Sequence, residues 1–319
     1  MKYLKKNYSM SFQKSDNMKN LIFLQSGKKL NYKESIKTCY EIINRNYENF
    51  PIYMFFIKKN LMDDFASIYA FSRGIDFIGD ELSKESIFDG LEIWQKELDL
   101  AYKNSATNPV FIALQKTIKK YNLPKLPFEK LIKANSIDQT KHNYNSLEEL
   151  YYYCEHSANP VGEIVLNIMG YRDKNLVNLS NNICTALQIT NFIQDIQIDL
   201  SKGRTYIPGE FLKKHKVDLS KLNNKKILDN DTYKEQFENL ITELVNINKT
   251  LYQDGKKLTS YLKKKDATII QIFISSGESI LKKISKNKSN ILLKKPKTNS
   301  LEKIIIIIKS ILKSYLHKN

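Results

Sequence analysis

Two aspartate pairs in this 319-residue chain share one spacing: Asp76 with Asp80 in "YAFSRGIDFIGDE", and Asp195 with Asp199 in "QITNFIQDIQIDLSKGRTYIP". On a helix, positions i and i+4 point the same way one turn apart, so each DxxxD aims two carboxylates at one face. Such like-charged pairs are costly unless cations hold them. Hard divalent cations take oxygen ligands, and Mg²⁺ keeps waters and recruits substrate phosphates for its remaining positions. The pattern therefore predicts a Mg²⁺–diphosphate site between two facing helices.

Each pair lies in a longer polar stripe. Tyr69, Arg73, Asp76 and Asp80 are spaced by 4, 3 and 4 residues. Asp199, Asp195 and Asn191 form a second stripe, with Gln188 near its edge, while Leu187, Ile189, Phe192, Ile193, Ile196 and Ile198 are expected to pack outward. A polar stripe on an apolar helix needs partners, ions or water. One DxxxD alone reads as a solvated face; two copies, each with a basic or acidic neighbour, argue for a site. Phe77 lies off its stripe and is expected to pack. Glu81 reads either as a supporting acid or as a surface charge, with the surface reading favoured.

The rest of the chain fits helices. There are only 10 Gly and 7 Pro, 42% of the residues are hydrophobic, and strand-like alternation is scarce. The fold class is therefore all-α, one bundle rather than a string of domains. The formal charge is +17. Much of it is a Lys-rich background, and the functional alternative is attraction to anionic lipid or anionic substrates. No nucleic-acid-binding motif is present, so nucleic acid is not expected as a partner. Only four arginines occur, and two flank the acid pairs: Arg73 precedes Asp76 and Arg204 follows Asp199. Arginine suits multidentate contact with phosphate.

Cys39, Cys154 and Cys184 are scattered without CxxC spacing, so neither a disulfide framework nor a zinc site follows. A reducing, cytoplasmic compartment is the plain reading. No signal peptide is expected, and no stretch approaches the length of a membrane span.

Along the chain, residues 1–30 read as a loose N-terminal extension and 31–319 as one helical domain. Asn31 with Glu34, and Ser146 with Glu149, have the spacing of capping boxes. "ENFP" at 48–51 breaks the first helix. Helices are expected over 59–82, through "SIFDGLEIWQKELDLAYKN", and from Asn108-Pro109 to Tyr121, with "NLPKLP" at 122–127 as a turn. Pro160 is expected to kink the helix "YYYCEHSANPVGEIVLNIMG". A helix over 175–200 carries the second acid pair, and "SKGRTYIPGE" follows as a loop. Further helices are expected at 230–264, 266–286 and 301–316, the last two joined by the basic linker "KKISKNKSNILLKKPKTNS". Ile304 to Ile308 run consecutively between Lys303 and Lys309. Such a helix is either buried nearly all round or turns its excess apolar side to a membrane surface. Tyr153 reads from its sequence context as a core tyrosine or a site residue. His156 reads as structural or solvent-facing, and His142, His215 and His317 as incidental.

The blocks "IYAFSRGIDFIGDE", "YYYCEHSANPVGEIVL" and "LQITNFIQDIQIDLSKGRTYIP", in this order, resemble the squalene/phytoene synthase family of head-to-head prenyl transferases over roughly residues 35–315. "ENFP", "SANPVG", Gln194 before Asp195, and "FISSGESIL…LLKKP" bring it nearest to the hydroxysqualene synthases of the hopanoid branch. One departure is Phe77, where the family's DDxxD form has a second aspartate.

The resemblance implies a single-domain isoprenoid synthase bundle around a central hydrophobic cavity. It implies that Asp76, Asp80, Asp195, Asp199 and Asn191 bind Mg²⁺ (Mn²⁺ being a substitute), with Asn191 and Gln188 also on the diphosphate. Arg73 and Arg204 neutralise the leaving group, and Tyr69, Tyr153 and Tyr206 line the site near the reacting carbons. The implied reaction converts presqualene diphosphate to hydroxysqualene, and NADPH is not expected. The alternatives are head-to-head condensation of two prenyl diphosphates such as farnesyl diphosphate, and a non-catalytic, membrane-associated helical protein partnering another synthase. A peripheral membrane surface and a pathway partner synthase are the macromolecular partners this suggests.

Overall fold

The computed structural model describes residues 30–46, 59–223 and 229–316. The loose extension, apart from Leu30, and "ENFP" lie outside them, as does His317. All regular structure among the described residues is helical. The helices are α1 (Tyr32–Asn46), α2 (Met62–Glu81), α3 (Lys84–Tyr102), α4 (Pro109–Tyr121), α5 (Leu126–Asp138), α6 (Leu147–Ser157), α7 (Asn159–Met169), α8 (Lys174–Gln194), α9 (Ile196–Ser201), α10 (Gly209–Lys214), α11 (Asp231–Lys256), α12 (Lys264–Lys286) and α13 (Ser300–Leu316). They group into two compact units, Met1–Gln139 and Thr140–Asn319.

In the first unit, α2 packs against α1, α3, α4 and α5. Its buried side carries Phe71, which meets Trp94 at 6.0 Å, Phe111 at 5.7 Å and Phe128 at 5.2 Å between ring centroids. At the start of α2, buried Asp64 accepts from Lys120 Nζ at 2.6 Å, Tyr121 OH at 2.8 Å and Thr117 Oγ1 at 3.2 Å. A buried carboxylate needs such partners, and these pin α4 onto α2. In the second unit, α8 packs against α7, α11 and α12, and α13 packs on α12. Asn248 Nδ2 donates to Ala186 O at 3.0 Å and Thr190 Oγ1 at 2.8 Å, and Tyr252 OH lies 3.0 Å from the same Thr190 hydroxyl. This buried polar set fixes α11 against the middle of α8.

The local signals act largely as the sequence suggests. Asn31 and Glu34 cap each other reciprocally, each backbone N–H donating to the other's side chain at 3.0 Å. Ser146 Oγ accepts from Glu149 N at 3.2 Å, but Glu149 reaches back to Asn145 N at 2.9 Å, one residue beyond the box. Asn108 caps α4 by accepting from Val110 N at 2.9 Å. Pro160 does more than kink its helix. The chain leaves helical geometry at Ala158 (φ −122°, ψ −49°), and α7 restarts with Pro160 in its first turn. There the missing N–H has no partner to lose.

Three expectations need correction. The turn at 122–127 ends early: Asn122 caps α4 in the left-handed conformation (φ 47°), and α5 starts at Leu126. Pro127 in its first turn is a helix-start signal rather than part of a turn. The helix over 175–200 is two helices, broken at Asp195 (φ −104°, ψ 10°). After the break Ile196 is buried, but Ile198 is 44% exposed and does not pack as expected. Finally, α13 is not buried all round. Ser310 is buried and Ile306, Ile307 and Ile311 are half-buried, whereas Leu301, Ile304, Ile305, Ile308 and Leu312 face outward.

Candidate functional site

The first acidic motif is the outward stripe of α2. Its other side is the aromatic core, with Phe77 buried, so the missing second aspartate takes no carboxylate from the exposed face. The stripe holds as spaced. Tyr69 is half-buried beside Arg73 and Asp76, and its hydroxyl pKa is raised, by burial first and by Asp76, with Arg73 opposing. Asp76 is exposed on the stripe, with Arg73, Asp80, Asp138 and Glu81 around its carboxyl. Desolvation there pushes its carboxyl up to about 6, against Arg73 and with added repulsion from Asp80, Asp138 and Glu81.

Glu81 is not a plain surface charge, because it pairs with Arg73 Nη2 and holds that guanidinium along the stripe. Asp138, at the end of α5, is an acid the sequence reading missed. It arrives because Gly79 lets α5 lie close: Gln139 Nε2 donates to Gly79 O at 3.3 Å, and a Cβ at 79 would collide with the Asn135 side chain. Nothing in the sequence marks Asp138 once α5 itself is overlooked.

The second motif lies where α8 meets α9. Gln188 is half-buried and Asn191 exposed on α8. Asn191 O accepts from Asp195 N at 2.8 Å, and Asp195 O accepts from Asp199 N at 2.9 Å, so the ladder carries both carboxylates past the break. Asp199 is buried, and its carboxyl pKa is raised, by burial first and by Asp195, with Arg204 opposing. Arg204 Nε lies 3.3 Å from Asp199 Oδ1. The turn that brings it there needs Gly203 at φ 73°, after which Arg204 N donates to Asp199 O at 3.0 Å.

Lys295, from the linker before α13, pairs with Asp195 Oδ1, and Gln194 Nε2 donates to Pro296 O beside it. This stretch is the basic linker expected between the last two helices. Its lysine instead reaches an acid of the motif.

Beyond Arg204 the loop is tied to the segment before α6: Thr205 N donates to His142 O and Gly209 N to Tyr144 O, both at 2.8 Å. This stacks Tyr206 between other rings. Its centroid lies 4.0 Å from Phe192 (11° between planes), 5.6 Å from Tyr144 and 5.5 Å from Tyr153, and Arg204 Cζ lies 5.7 Å from the Tyr206 centroid. Tyr153 and Tyr206 are thus brought together next to the Arg204–Asp199 pair. Tyr144 and Phe192 complete the cluster and escaped the sequence reading, since neither stands out from ordinary core aromatics. His156 is structural: its Nδ1 lies 2.9 Å from Tyr152 O and its ring packs on Tyr152 at 4.6 Å.

Among the described residues, no three of His, Cys, Asp and Glu form a group able to hold a metal by themselves. Each DxxxD pair offers two carboxylates. Oxygen donors with open positions suit Mg²⁺, which completes its shell with water and phosphate, and Mn²⁺ takes the same donors. Asp195 and Asp199 each carry a side-chain cation, Lys295 and Arg204, which a divalent ion bound there would share or displace.

Comparison with known proteins follows the same lines. The squalene/phytoene synthase family model matches residues 43–302, across both units. The presqualene diphosphate synthase of Rhodopseudomonas palustris is 30% identical over 156 residues, covering 48% of this chain and 54% of that protein. The hydroxysqualene synthase of the same organism is 29% identical over 168 residues, covering 52% and 56%. The matched part thus spans about half the length of these curated relatives. The crystal structure of squalene synthase HpnC from Alicyclobacillus acidocaldarius superposes with a TM-score of 0.74 at 34% identity, over 81% of this chain and 95% of that one. A dehydrosqualene synthase superposes at 0.75 with 20% identity, over 89% and 97%, a likeness of fold alone. The all-α architecture is the helical isoprenoid synthase fold, and the chain belongs to the squalene/phytoene synthase family.

Proposed function

We propose that this protein converts presqualene diphosphate and water to hydroxysqualene and diphosphate, with Mg²⁺, in triterpenoid biosynthesis. The observation that carries this reading is the Tyr144–Tyr153–Phe192–Tyr206 cluster beside the Arg204–Asp199 pair. An acidic, cation-drawing group for the diphosphate thus adjoins an aromatic surface for a carbocation.

In this reading Asp76 and Asp80, and Asp195 and Asp199 with Asn191, hold the metal, and Gln188 and Asn191 contact the diphosphate. When bound, Mg²⁺ supplies Lewis-acid stabilisation of the leaving diphosphate. Arg73 and Arg204 add fixed positive charge to the same group, and Glu81 orients Arg73. The cyclopropylcarbinyl C–O bond of presqualene diphosphate breaks heterolytically, and its electron pair leaves with the diphosphate. Tyr69 lies nearest the first acidic stripe for the cation that remains, while Tyr153 and Tyr206, buried in their ring stack, act from behind as an aromatic wall beside Arg204 and Asp199. After rearrangement, one water forms the new C–O bond and gives up a proton to the released diphosphate or solvent. No hydride is consumed, so NADPH is not required.

A second reading is the condensing step, farnesyl diphosphate to presqualene diphosphate. Identity to the presqualene diphosphate synthase, at 30%, is level with that to the hydroxysqualene synthase, at 29%. Purified protein with Mg²⁺ and no NADPH, given either substrate and read by mass spectrometry of the lipids, separates the two. Hydroxysqualene from presqualene diphosphate is the expected result. Presqualene diphosphate from farnesyl diphosphate would move the chain to the condensing step. No product from either would leave a non-catalytic partner of another synthase.

A further inference from the structure

The outward face of α13 carries a run of exposed large apolar side chains. Leu301, Ile304, Ile305, Ile308 and Leu312 follow the spacing 3, 1, 3 and 4, a single stripe, and each is 40–66% exposed. The opposite face is accounted for: Ser310 Oγ donates to Ser275 Oγ of α12 at 3.2 Å, and Lys283 of α12 pairs with Glu302 at 2.7 Å. The helix is therefore held down by its back and shows its greasiest side outward. An apolar stripe of this kind on an otherwise polar protein marks an interaction surface.

The charges choose the occupant. Glu302 is the one acid of α13 and is taken by Lys283, while Lys309 and Lys313 stand exposed at the border of the stripe. The chain as a whole carries +17. A second copy of this surface would bring lysines against lysines. An anionic lipid surface would instead meet the stripe with acyl chains and the lysines with headgroups. At 17 residues the helix is about 25 Å long, shorter than the roughly 30 Å hydrocarbon core, and one side is committed to α12. No described helix is long and apolar enough to cross a membrane. We infer that α13 lies in the plane of an anionic membrane surface, with Leu301, Ile304, Ile305, Ile308 and Leu312 inserted and Lys309 and Lys313 on the headgroups. This inference stands apart from the reaction the protein performs.

The test is co-sedimentation of the full chain with phosphatidylcholine vesicles, with and without about 30% phosphatidylglycerol, at low and high salt. The variants are the triple Ile304→Ser/Ile308→Ser/Leu312→Ser and the double Lys309→Glu/Lys313→Glu. Light scattering reports the oligomeric state, and thermal melts report folding. These side chains are outward-facing, so both variants are expected to melt near the parent. Binding to the anionic vesicles, reduced at least about tenfold by each variant and by salt, is the expected result. Equal binding to both vesicle types would overturn the anionic assignment, and undiminished binding of the triple variant would overturn the assigned face. Absence of binding overturns the inference; a dimer lost in the triple variant would then name a second copy as the occupant.

Discussion

Arg204 reaches Asp199 across a left-handed turn: its Nε is 3.3 Å from Asp199 Oδ1, and Gly203 between them sits at φ 73°. The pair joins the acidic motif to the aromatic cluster, because the Arg204 guanidinium also lies 5.7 Å from the Tyr206 ring. Removing the guanidinium while keeping the loop should therefore reach the chemistry before it reaches the fold. Arg204→Gln is expected to lower kcat by about 10²–10³, as loss of one fixed charge-stabilising group does. Steady-state turnover of presqualene diphosphate, with a thermal melt as control, checks this.

Gly203 offers a cleaner separation of backbone from side chain. A Cβ there would meet nothing within 4 Å, so any effect of Gly203→Ala is conformational rather than steric. The substitution should cost about 1 kcal/mol and reduce turnover by displacing Arg204, whereas Gly203→Asn, which tolerates the left-handed region, should recover much of both. Urea melts and turnover of the two variants decide it.

If Asp76 holds Mg²⁺ as proposed, its acidity sets a pH limit on metal binding. Its folded pKa of about 6 means that the carboxylate needed for Mg²⁺ is progressively protonated below that value. Mg²⁺ affinity and turnover should fall as pH drops through 6. In the metal-free protein the stability effect has the opposite sense. An acid whose folded pKa lies above its unfolded value binds more protons when folded, so stability declines as pH rises from about 4 toward 6. Asp76→Asn should accordingly raise the melting temperature of the metal-free protein at pH 7 while weakening Mg²⁺ binding. Paired melts with and without Mg²⁺ across pH 4–8 would show it.

Asp195 is expected to be indispensable for turnover and dispensable for folding. Its backbone N–H closes α8 on Asn191 O at 2.8 Å, a main-chain bond that an asparagine side chain at this position leaves in place. Asp195→Asn should abolish detectable product with a melting temperature within a few degrees of the parent. Normal activity in this variant would refute the metal assignment.

The aromatic cluster should act through its faces more than its hydroxyls. Tyr206→Phe keeps the 4.0 Å stack on Phe192, and Tyr206→Leu removes it. Because Tyr206 is buried between Phe192 and Tyr144, Leu should loosen the stack that backs Arg204 and slow the reaction about 2- to 30-fold, the equivalent of about 0.5–2 kcal/mol, with Phe nearer the parent. Mass spectrometry of the products would also register early water capture in the Leu variant.

Periodicity and spacing were enough to read the all-α class, the two acid stripes, the Asn31 cap and the buried place of Phe77, because each depends on residues within about a turn of one another. The blocks around the acids were enough to point to the family. What stayed out of reach depends on chain segments far apart in sequence. Asp138 joins Asp76 only through the approach of α5 at Gly79, Lys295 finds Asp195 from a distant part of the chain, and Tyr144 meets Tyr206 only because the loop after Gly203 is hydrogen-bonded to the segment before α6. The five isoleucines show the same divide. Their composition announces an excess of apolar surface, and only packing on α12 decides which of them are covered and which face outward, because burial is a property of neighbours and not of the residue.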